Sequence, residues 1–445
     1  MEIVQKGQRD IQDIIRILSL QIKENARGGY HLHKYCVVKD YKKKLLIYNL
    51  LTSEMLAIEP EEMAEFETSK YAIEHFFSFE EEMNDKKLVS LLKEEMSKGR
   101  EKVSKYTIYT TTNCNARCYY CFENGSYKKN MSLETANKLL EIIDKTADPD
   151  ALLELSWFGG EPTVNMKIID YICNHYKEKN RKFFSTMVTN AYLLNQENLK
   201  KARECWNLKW VLITIDGYGE EYNAIKNYVN AVEDPFYTVM NNIEEMLNQG
   251  IVIVMTLRAN GENEESLMKL IDYLAERFPE RQNLMLNCQL IHLKSAGIYI
   301  PDVKNKEVKM LKSQKKILGK LYEKGLYKTG VPKNFKDFQC DSTSGKAMNI
   351  HPDGKIACCL CYMEGADIGS IYQEETDEEI WNSFKEKYDE LEACRECMLY
   401  PRCIRLQRCD NAAEWCTVER RKNEEYRIIL QMYNTYDDYK TRECE

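Results

Sequence analysis

Apolar runs rich in β-branched and aromatic residues alternate with amphipathic stretches of helical length from residue 106 onward. Alternation of this kind predicts β-α units, whose strands form a parallel sheet covered by helices. In such a sheet the functional groups belong at the carboxyl ends of the strands. Six apolar runs fit the pattern: Tyr106–Thr112, Leu152–Phe158, Phe183–Thr189, Trp210–Asp216, Ile251–Arg258 and Leu284–Leu293.

The first hundred residues follow a different pattern. An apolar stripe with helical spacing covers residues 8–22, and residues 35–58 predict two short strands around a turn at Leu51-Thr52-Ser53-Glu54. Helical segments are expected near residues 59–75 and 86–99. The pattern indicates a small helix-plus-hairpin unit, without a chemical motif of its own, that precedes the sheet and could act as a separate binding module.

Length, charge and hydropathy narrow the class of protein. A chain of 445 residues is too long for one ordinary core and suggests two or three domains. Its net charge of −8 argues against general nucleic-acid binding. We find neither an apolar signal segment at the N-terminus nor an apolar run long enough to cross a membrane. These observations predict a soluble, cytoplasmic protein with no nucleic-acid or membrane partner.

One segment departs from the acidic balance. Residues 301–337 hold eleven lysines against four acidic residues, a local charge of about +7. The simpler interpretation is a solvated, basic helical linker. The alternative is a docking surface for an acidic peptide.

Three cysteines, Cys114, Cys118 and Cys121, directly follow the first predicted strand in a C-x3-C-x2-C spacing. Three thiolates on one loop hold three irons of a cubane cluster and leave the fourth iron open to an external ligand. Zinc usually takes four ligands grouped as two close pairs, and no fourth cysteine or histidine is near. Disulfides are disfavoured in a reducing compartment. The spacing therefore favours an iron–sulfur cluster with an open coordination position.

Polar and glycine residues follow the later strands. The second predicted strand runs into Gly159-Gly160-Glu161-Pro162, where the glycines permit close approach to a ligand and Glu161 can accept hydrogen bonds from an ammonium group. The next strands end in Thr189-Asn190-Ala191, in Asp216 and in Arg258. Each also has a structural interpretation, as a turn residue or a surface ion pair. The histidines show no metal-ligand spacing beyond His31-x-His33, which reads as an exposed strand face.

The cysteine spacing, with Tyr120 as the aromatic residue of C-x3-C-x-aromatic-C, resembles the radical S-adenosylmethionine (radical SAM) superfamily. The resemblance implies an α/β fold, a partial (β/α)6 TIM barrel, in which the amine and carboxylate of SAM bind the open iron. One electron then cleaves SAM to a 5′-deoxyadenosyl radical. It further implies that the motif at Gly159, Gly160 and Glu161 holds the SAM amine. The remaining SAM contacts would come from Tyr120 in the cysteine motif and from the later strand ends, at Thr189, Asn190, Asp216 and Arg258.

A second group of cysteines lies near the C-terminus. Nine of the 17 cysteines fall between residues 340 and 416, which indicates a local metal-binding module. Two blocks resemble the SPASM extension of radical SAM enzymes: Cys340, Gly354 and Cys359 in one, and Cys394, Cys397 and Cys403 in the other. The family pattern then expects a cysteine at position 407, where this chain has Gln, and the next cysteine is Cys409.

The SPASM resemblance implies two auxiliary 4Fe-4S clusters, three clusters in all. Cys394, Cys397, Cys403 and Cys416 would hold one of them. Cys340, Cys359 and Cys409 would hold the other, with Cys358 or Cys361 as the fourth ligand or with one iron left open to a substrate thiolate. A zinc ribbon built on Cys394-x2-Cys397 is the alternative.

Enzymes with this extension mostly modify peptides. The resemblance therefore implies a maturase that cross-links a ribosomally made precursor peptide by a thioether or carbon–carbon bond, with a flavodoxin- or ferredoxin-type electron donor. The four expected parts are a winged-helix-like leader-recognition domain at 1–100, the barrel at 101–300, the basic linker at 301–339 and the SPASM domain at 340–445. The leader would add as a strand beside the hairpin.

Two other functions stay open at this point. One is an anaerobic sulfatase-maturing, formylglycine-forming enzyme, which shares the barrel and SPASM motifs. The other is a non-catalytic metal-cluster scaffold that binds peptides. No residue is assigned as the catalytic acid or base.

Overall fold

The structure, a computed structural model, describes residues 1–6, 31–78, 103–291, 303–333, 347–360, 367–373, 394, 397–403 and 416–444. The predicted helices at 8–22 and 86–99 lie outside these residues, as do Cys340, Cys361 and Cys409. The strands of the described chain are β1 Glu2–Gln5, β2 His31–Leu32, β3 Cys36–Tyr41, β4 Lys44–Asn49, β5 Glu54–Ile58, β6 Phe77–Ser78, β7 Lys105–Thr111, β8 Leu153–Gly159, β9 Phe183–Thr189, β10 Leu208–Ile215, β11 Val252–Ala259, β12 Leu284–Leu290, β13 Ala347–Ile350, β14 Lys355–Ala357 and β15 Asp367–Ser370.

Helices cover most of the intervals between the strands of the second half of this series. They are α1 Met63–Thr68, α2 Lys70–Phe76, α3 Leu133–Thr146, α4 Met166–Glu178, α5 Gln196–Glu204, α6 Glu220–Lys226, α7 Pro235–Asn248, α8 Glu264–Arg277, α9 Val303–Glu323 and α10 Val418–Cys444. Several begin at a capping side chain, as α3 does at Ser132, whose hydroxyl accepts the N–H of Thr135. Among the described helices, none is long and apolar enough to cross a membrane.

The six predicted β-α units form a parallel sheet, which confirms the α/β class. Its order is β12-β11-β10-β9-β8-β7, so strands that follow one another along the chain are neighbours. All six predicted runs begin within two residues of the start of the observed strand. The runs could be located because both faces of a parallel sheet are covered and its strands are therefore apolar throughout.

The two faces of this sheet differ in burial. One face, here called the helix face, is fully buried and includes Trp157, Met187, Ile213 and Met255. The other, the open face, carries a row of partly exposed side chains that are in register from β8 to β12: Phe158, Val188, Leu212, Val254 and Met285. A ligand that reaches the strand ends can therefore contact the open face.

A hairpin from the C-terminal part of the chain extends the same sheet. β13 pairs in parallel with β7, and β14 and β15 continue in antiparallel order, which gives nine strands in total. Residues of the predicted SPASM module thus continue the sheet directly beside the strand that leads into the cysteine triad. Cys358 and Cys359 directly follow β14.

The contacts divide the chain into two compact units. The first combines residues 1–99, 329–344 and 384–445, and the second combines residues 100–328 and 345–383. The predicted four-part division stays a prediction, and this grouping cuts across it. The N-terminal and C-terminal segments belong to one unit because they share a hydrophobic core, in which Tyr48, Met55, Cys394 and Met432 pack together.

The N-terminal sheet of the first unit has the order β1-β5-β4-β3. The predicted hairpin is present as β4 and β5, but these are the two inner strands. In the part of the chain that the structure describes, a leader peptide therefore has no free side of that hairpin to pair with, and the edge strands are β1 and β3. Apolar side chains of α1 and α2, among them Phe66 and Phe76, cover one face of this sheet.

The basic segment begins with α9, which belongs to the second unit. Its lysines pair with acids of the neighbouring helix α8: Lys316 with Glu264 at 2.7 Å and Lys320 with Asp272 at 2.6 Å. Gln314 also donates a hydrogen bond to the carbonyl oxygen of Cys288 in β12. These contacts give the basic residues a structural role against the sheet and favour it over a docking surface.

Candidate active site at the strand ends

Cys114, Cys118 and Cys121 lie together on the loop that follows β7. All three are half-buried free thiols. The backbone N–H of Ala116 points to the Cys114 sulfur at 3.4 Å, and the side-chain amide of Asn190 lies 4.0 Å from the same sulfur. N–H groups directed at cysteine sulfur are a means by which proteins tune iron–sulfur clusters.

Burial raises the pKa of all three thiols, that of Cys114 to about 12. Glu161 and then the other two cysteines add to the rise in the pKa of Cys114, because their negative charges oppose a thiolate there. A bound metal centre reverses this balance because it deprotonates coordinating thiols outright. The loop can therefore hold three thiolates without a large electrostatic cost only around a cation or a cluster.

Gly159 and Gly160 are required where the sheet meets the cysteine loop. A Cβ atom at Gly159, where φ is +125°, would lie 2.0 Å from the carbonyl oxygen of Thr111, and one at Gly160 would lie 2.4 Å from that of Asn113. In turn, the N–H groups of Gly160 and Glu161 donate to those two oxygens. The expectation was that these glycines admit a ligand; the group that comes close to them here is the backbone leading into Cys114.

Glu161, Thr189 and Asn190 form one buried network. The Glu161 carboxylate accepts hydrogen bonds from Thr163 Oγ1 at 2.6 Å, from Thr189 Oγ1 at 2.8 Å and from the Asn190 N–H at 2.7 Å. Burial raises the pKa of Glu161, and these hydrogen bonds oppose the rise. The structure thus brings three predicted SAM contacts together and gives Glu161 and Thr189 a part in joining β8 to β9.

Asn190 extends this network to the cysteine loop. Its side-chain amide donates to Asn115 Oδ1 at 2.7 Å, next to Cys114. The following residue, Ala191, is fully buried with φ of +62°, a left-handed conformation that costs a non-glycine residue energy. A glycine at this position would adopt the same conformation without that cost.

Tyr120 and Asp216 are also brought together, through a residue that the sequence did not single out. The Tyr120 hydroxyl donates to Asp216 Oδ1 at 2.5 Å, and Asp216 Oδ2 lies 2.8 Å from the Lys226 ammonium group. Burial alone would lower the pKa of Lys226, but Asp216 and then Tyr120 raise it well above its ordinary value. Lys226 is therefore charged, and it forms a buried ion pair beside the loop.

Arg258 lies at the end of β11 with a buried Nε for which the described chain offers no hydrogen-bond partner. A second residue that the sequence did not indicate, Asn263, donates from its side-chain amide to the carbonyl oxygens of Asp216 and Arg258, at 2.7 and 2.8 Å. Asn263 thus ties the ends of β10 and β11 together. The Arg258 guanidinium suits an anionic group such as the SAM carboxylate, and Arg258 is one of the SAM contacts predicted from the sequence.

The second cysteine group is partly described. Cys394 is buried, while Cys397, Cys403 and Cys416 are half-buried. Burial raises the pKa of Cys397, and Cys416 and Cys394 contribute to the rise while Arg421 opposes it. Arg421 also contacts the Cys416 sulfur at 3.4 Å. Three of the four cysteines predicted to share a cluster are therefore close together in the first unit.

The two groups of cysteines fit iron–sulfur clusters in their chemistry. Within the described ranges, no group of three or more His, Cys, Asp or Glu side chains is arranged to hold a single metal ion. Cys114, Cys118 and Cys121 would hold the cluster that faces the strand ends, and Arg258 is placed at the same edge for a carboxylate. The sites of the auxiliary cysteines stay predictions, as Cys340, Cys361 and Cys409 are not described.

The family model of the Radical SAM superfamily matches residues 108–274. The chain contains a radical SAM domain. The match begins within β7 and ends within α8, so it includes the cysteine triad and the Gly159–Glu161 turn. A radical SAM domain implies a SAM-dependent iron–sulfur enzyme of the oxidoreductase type, with SAM and a 4Fe-4S cluster as its expected cofactors.

Two sequence relatives carry different activities. The radical SAM cyclopropyl synthase TigE of Paramaledivibacter caminithermalis is 27% identical over 174 residues, 32% of this chain and 36% of that protein. The GTP 3′,8-cyclase of Clostridium perfringens is 25% identical over 312 residues, 65% of this chain and 91% of that protein. Both are distant, and they share the domain rather than a substrate.

Two solved structures resemble the fold. One is anSMEcpe with bound AdoMet and the Cp18Cys peptide, at a TM-score of 0.56 and 16% identity, covering 76% of this chain and 99% of that one. The other is SuiB of Streptococcus suis bound to the precursor peptide SuiA, at a TM-score of 0.50 and 10% identity, covering 84% and 94%. Identities this low show the shared fold alone.

Proposed function

We propose that this chain is a radical SAM peptide maturase that joins two residues of a ribosomally made precursor peptide by a thioether or a carbon–carbon bond. The observation that carries the proposal is the placement of Cys114, Cys118 and Cys121 where β7 ends, at the edge of a partly exposed sheet face. A cluster on these thiolates supplies the electron that cleaves SAM. The sheet is then the partial (β/α)6 barrel of that family.

The peptide substrate is supported by similar proteins and by the parts of this chain that lie outside the radical SAM domain. TigE is named as a cyclopropyl synthase, SuiB is seen with a precursor peptide, and anSMEcpe is seen with a peptide. This chain adds an N-terminal sheet whose edges, β1 and β3, can take an extended leader by strand addition. In this proposal residues 1–100 hold a winged-helix-like recognition domain, and the C-terminal cysteines form a SPASM domain with two auxiliary clusters.

The chain's own residues have defined tasks in this chemistry. Arg258 binds the carboxylate of SAM, and the Glu161–Thr189–Asn190 network keeps the strand ends fixed beside the loop. The apolar open face, with Phe158 and Val188, excludes water from the substrate. A flavodoxin- or ferredoxin-type protein delivers electrons. Joining two peptide atoms would remove two hydrogens: one as an atom, which SAM chemistry would supply the means to abstract, and one as a proton and an electron. The auxiliary cysteines would hold the cluster that could accept this electron.

Radical generation is tested with SAM and dithionite under anaerobic conditions. We expect the reconstituted protein to form 5′-deoxyadenosine and the Cys121→Ala variant to form none, because a cluster on two thiolates is not retained. Cys205→Ala is the matched control, as Cys205 is a half-buried thiol outside both groups. Iron content is measured on the same samples, and about twelve iron atoms per chain are expected for three clusters.

An active Cys121→Ala variant would contradict the placement of the cluster on the three cysteines. No 5′-deoxyadenosine from the unaltered protein would contradict the enzyme assignment and leave a non-catalytic peptide-binding scaffold. About four irons per chain together with bound zinc would remove the auxiliary clusters and favour a zinc ribbon at Cys394 and Cys397.

We expect a short precursor peptide to be encoded beside the gene for this chain, and the substrate is tested with that peptide, with and without its leader. We expect a product lighter by two hydrogens from the full-length peptide, and much slower turnover without the leader. GTP and a cysteine-containing sulfatase-type peptide are included as competing substrates. An aldehyde in the latter, with no cross-link in the precursor, would instead assign a sulfatase-maturing enzyme, which the similarity to anSMEcpe favours as the second candidate.

A further inference from the structure

Lys226, the last residue of α6, is a buried cation that the proposed chemistry does not use. Only 2% of the residue is exposed. Its ammonium group contacts Asp216 Oδ2 at 2.8 Å, Thr214 Oγ1 at 2.8 Å and the Tyr120 hydroxyl at 3.3 Å. Lysine is almost never fully buried unless it is paired, so this arrangement has a cost that a surface lysine avoids.

The main chain of the same residue supports the cysteine loop. The Lys226 carbonyl oxygen accepts the N–H of Arg117 at 2.8 Å, and the Cys118 sulfur lies 3.9 Å from the same oxygen. Three residues later, the N–H of Val229 donates to the carbonyl oxygen of Asn115 at 2.8 Å. The end of α6 and the segment after it therefore hold the cysteine loop by backbone hydrogen bonds at Arg117 and Asn115.

We propose that Lys226 is a positioning residue that sets both the placement and the reduction potential of the cluster held by Cys114, Cys118 and Cys121. Its side chain anchors Tyr120, which lies between two of the cysteines, while its carbonyl group anchors the backbone at Arg117. One residue thus holds the loop at two points. The inference rests on the radical SAM domain and is independent of which peptide is modified.

The electrostatic part follows from the sign of the charge. Reduction adds an electron to a cluster that is already surrounded by thiolates, and a cation held nearby stabilises the more negative state. The Lys226 ammonium group and the Asp216 carboxylate carry opposite charges and are paired beside the cysteine loop. Each partner therefore moves the potential in its own direction.

The test is an anaerobic potentiometric titration followed by electron paramagnetic resonance, on the reconstituted full-length protein without peptide. The signal of the triad cluster is recognised by its change when SAM is added. We expect Lys226→Met to lower its potential, Asp216→Asn to raise it, and the double variant to lie between them. Lys201→Met is the matched control, since Lys201 pairs with Asp170 on the surface of α5, and no shift is expected there.

Opposite shifts of the reduction potential in the two single variants distinguish this role from a merely structural one. A structural role would change iron content or stability, but it would not shift the potential in opposite directions. If Lys226→Met does not fold because Asp216 is left buried and unpaired, the difference in potential between Asp216→Asn and the double variant still gives the sign of the Lys226 effect. Equal potentials in all variants, or shifts in one common direction, would overturn the proposal. Absence of iron from the unaltered protein would instead refute the cluster itself, and the two failures are therefore distinct.

Discussion

Replacing Gly159 with alanine is expected to destabilise the protein by about 3–5 kcal/mol and to reduce cluster loading. The new Cβ would lie 2.0 Å from the carbonyl oxygen of Thr111, which is backbone and cannot turn aside, and φ at this position is +125°. Relief requires β7 and β8 to separate where β7 enters the cysteine loop. Urea denaturation gives the change in the free energy of unfolding, and iron per chain gives the effect on the loop.

The matched control is Gly125→Ala. Gly125 also has a positive φ, of +86°, but a Cβ there meets nothing within 4 Å. Only backbone strain is then expected, about 1–2 kcal/mol, with iron content unchanged. Equal losses in the two variants would show that strain alone, and not the contact with Thr111, makes Gly159 necessary.

The sheet and the triad could be predicted because their signals are local. A strand covered on both faces needs a continuous apolar run, and the observed strand Phe183–Thr189 has the bounds that its run predicts. A loop that holds a cluster needs closely spaced thiols, and the family match to residues 108–274 includes all three. Gly159 was recognised as a place of close approach, although the approaching group was expected to be a ligand.

The residues that hold the site together could not be predicted in the same way. Lys226 and Asn263 lie far along the chain from Cys114 and have no motif around them. They become significant only when α6 and the start of α8 are placed beside the strand ends. A lysine in an amphipathic helix is ordinarily a solvated residue, and its burial beside Asp216 is a property of the tertiary structure.

The division of the chain into two units could not be predicted from the sequence for the same reason. A change in composition indicated a boundary near residue 340, but the hairpin of β13 and β14 joins the parallel sheet while Cys394 packs with the N-terminal sheet. Packing between distant segments depends on side-chain shape at both surfaces, which no local pattern encodes. Position 191 is a further case, since the positive φ of Ala191 is invisible in its apolar side chain.

Replacing His351 with phenylalanine is expected to stabilise the protein by about 1–3 kcal/mol at neutral pH. His351 is 1% exposed, its ring stacks on Tyr109 at 4.5 Å between centroids, and both of its nitrogens are buried without a hydrogen-bond partner in the described chain. Phenylalanine keeps the stacking and removes two unsatisfied polar atoms. The free energy of unfolding measured in urea gives the size of the gain.

The gain in the free energy of unfolding of His351→Phe is expected to grow as the pH is lowered. Burial lowers the pKa of His351 below its ordinary value; Asp367 and Asp353 oppose the shift and Lys355 adds to it. As the pH falls through about 6.5, the unfolded chain takes up a proton that the folded chain resists, so the unaltered protein loses stability in this range. The phenylalanine variant lacks this group and loses correspondingly less.

The matched control is His31→Phe, which changes an exposed histidine in β2 and is expected to alter stability by no more than about 0.5 kcal/mol. A loss of stability in His351→Phe at neutral pH would mean that the imidazole nitrogens are satisfied in solution, by ordered water or by another part of the chain. The pH dependence of the free energy of unfolding is then the second test. Parallel curves for the unaltered protein and His351→Phe between pH 5 and pH 8 would show that His351 is not the group whose protonation opposes folding.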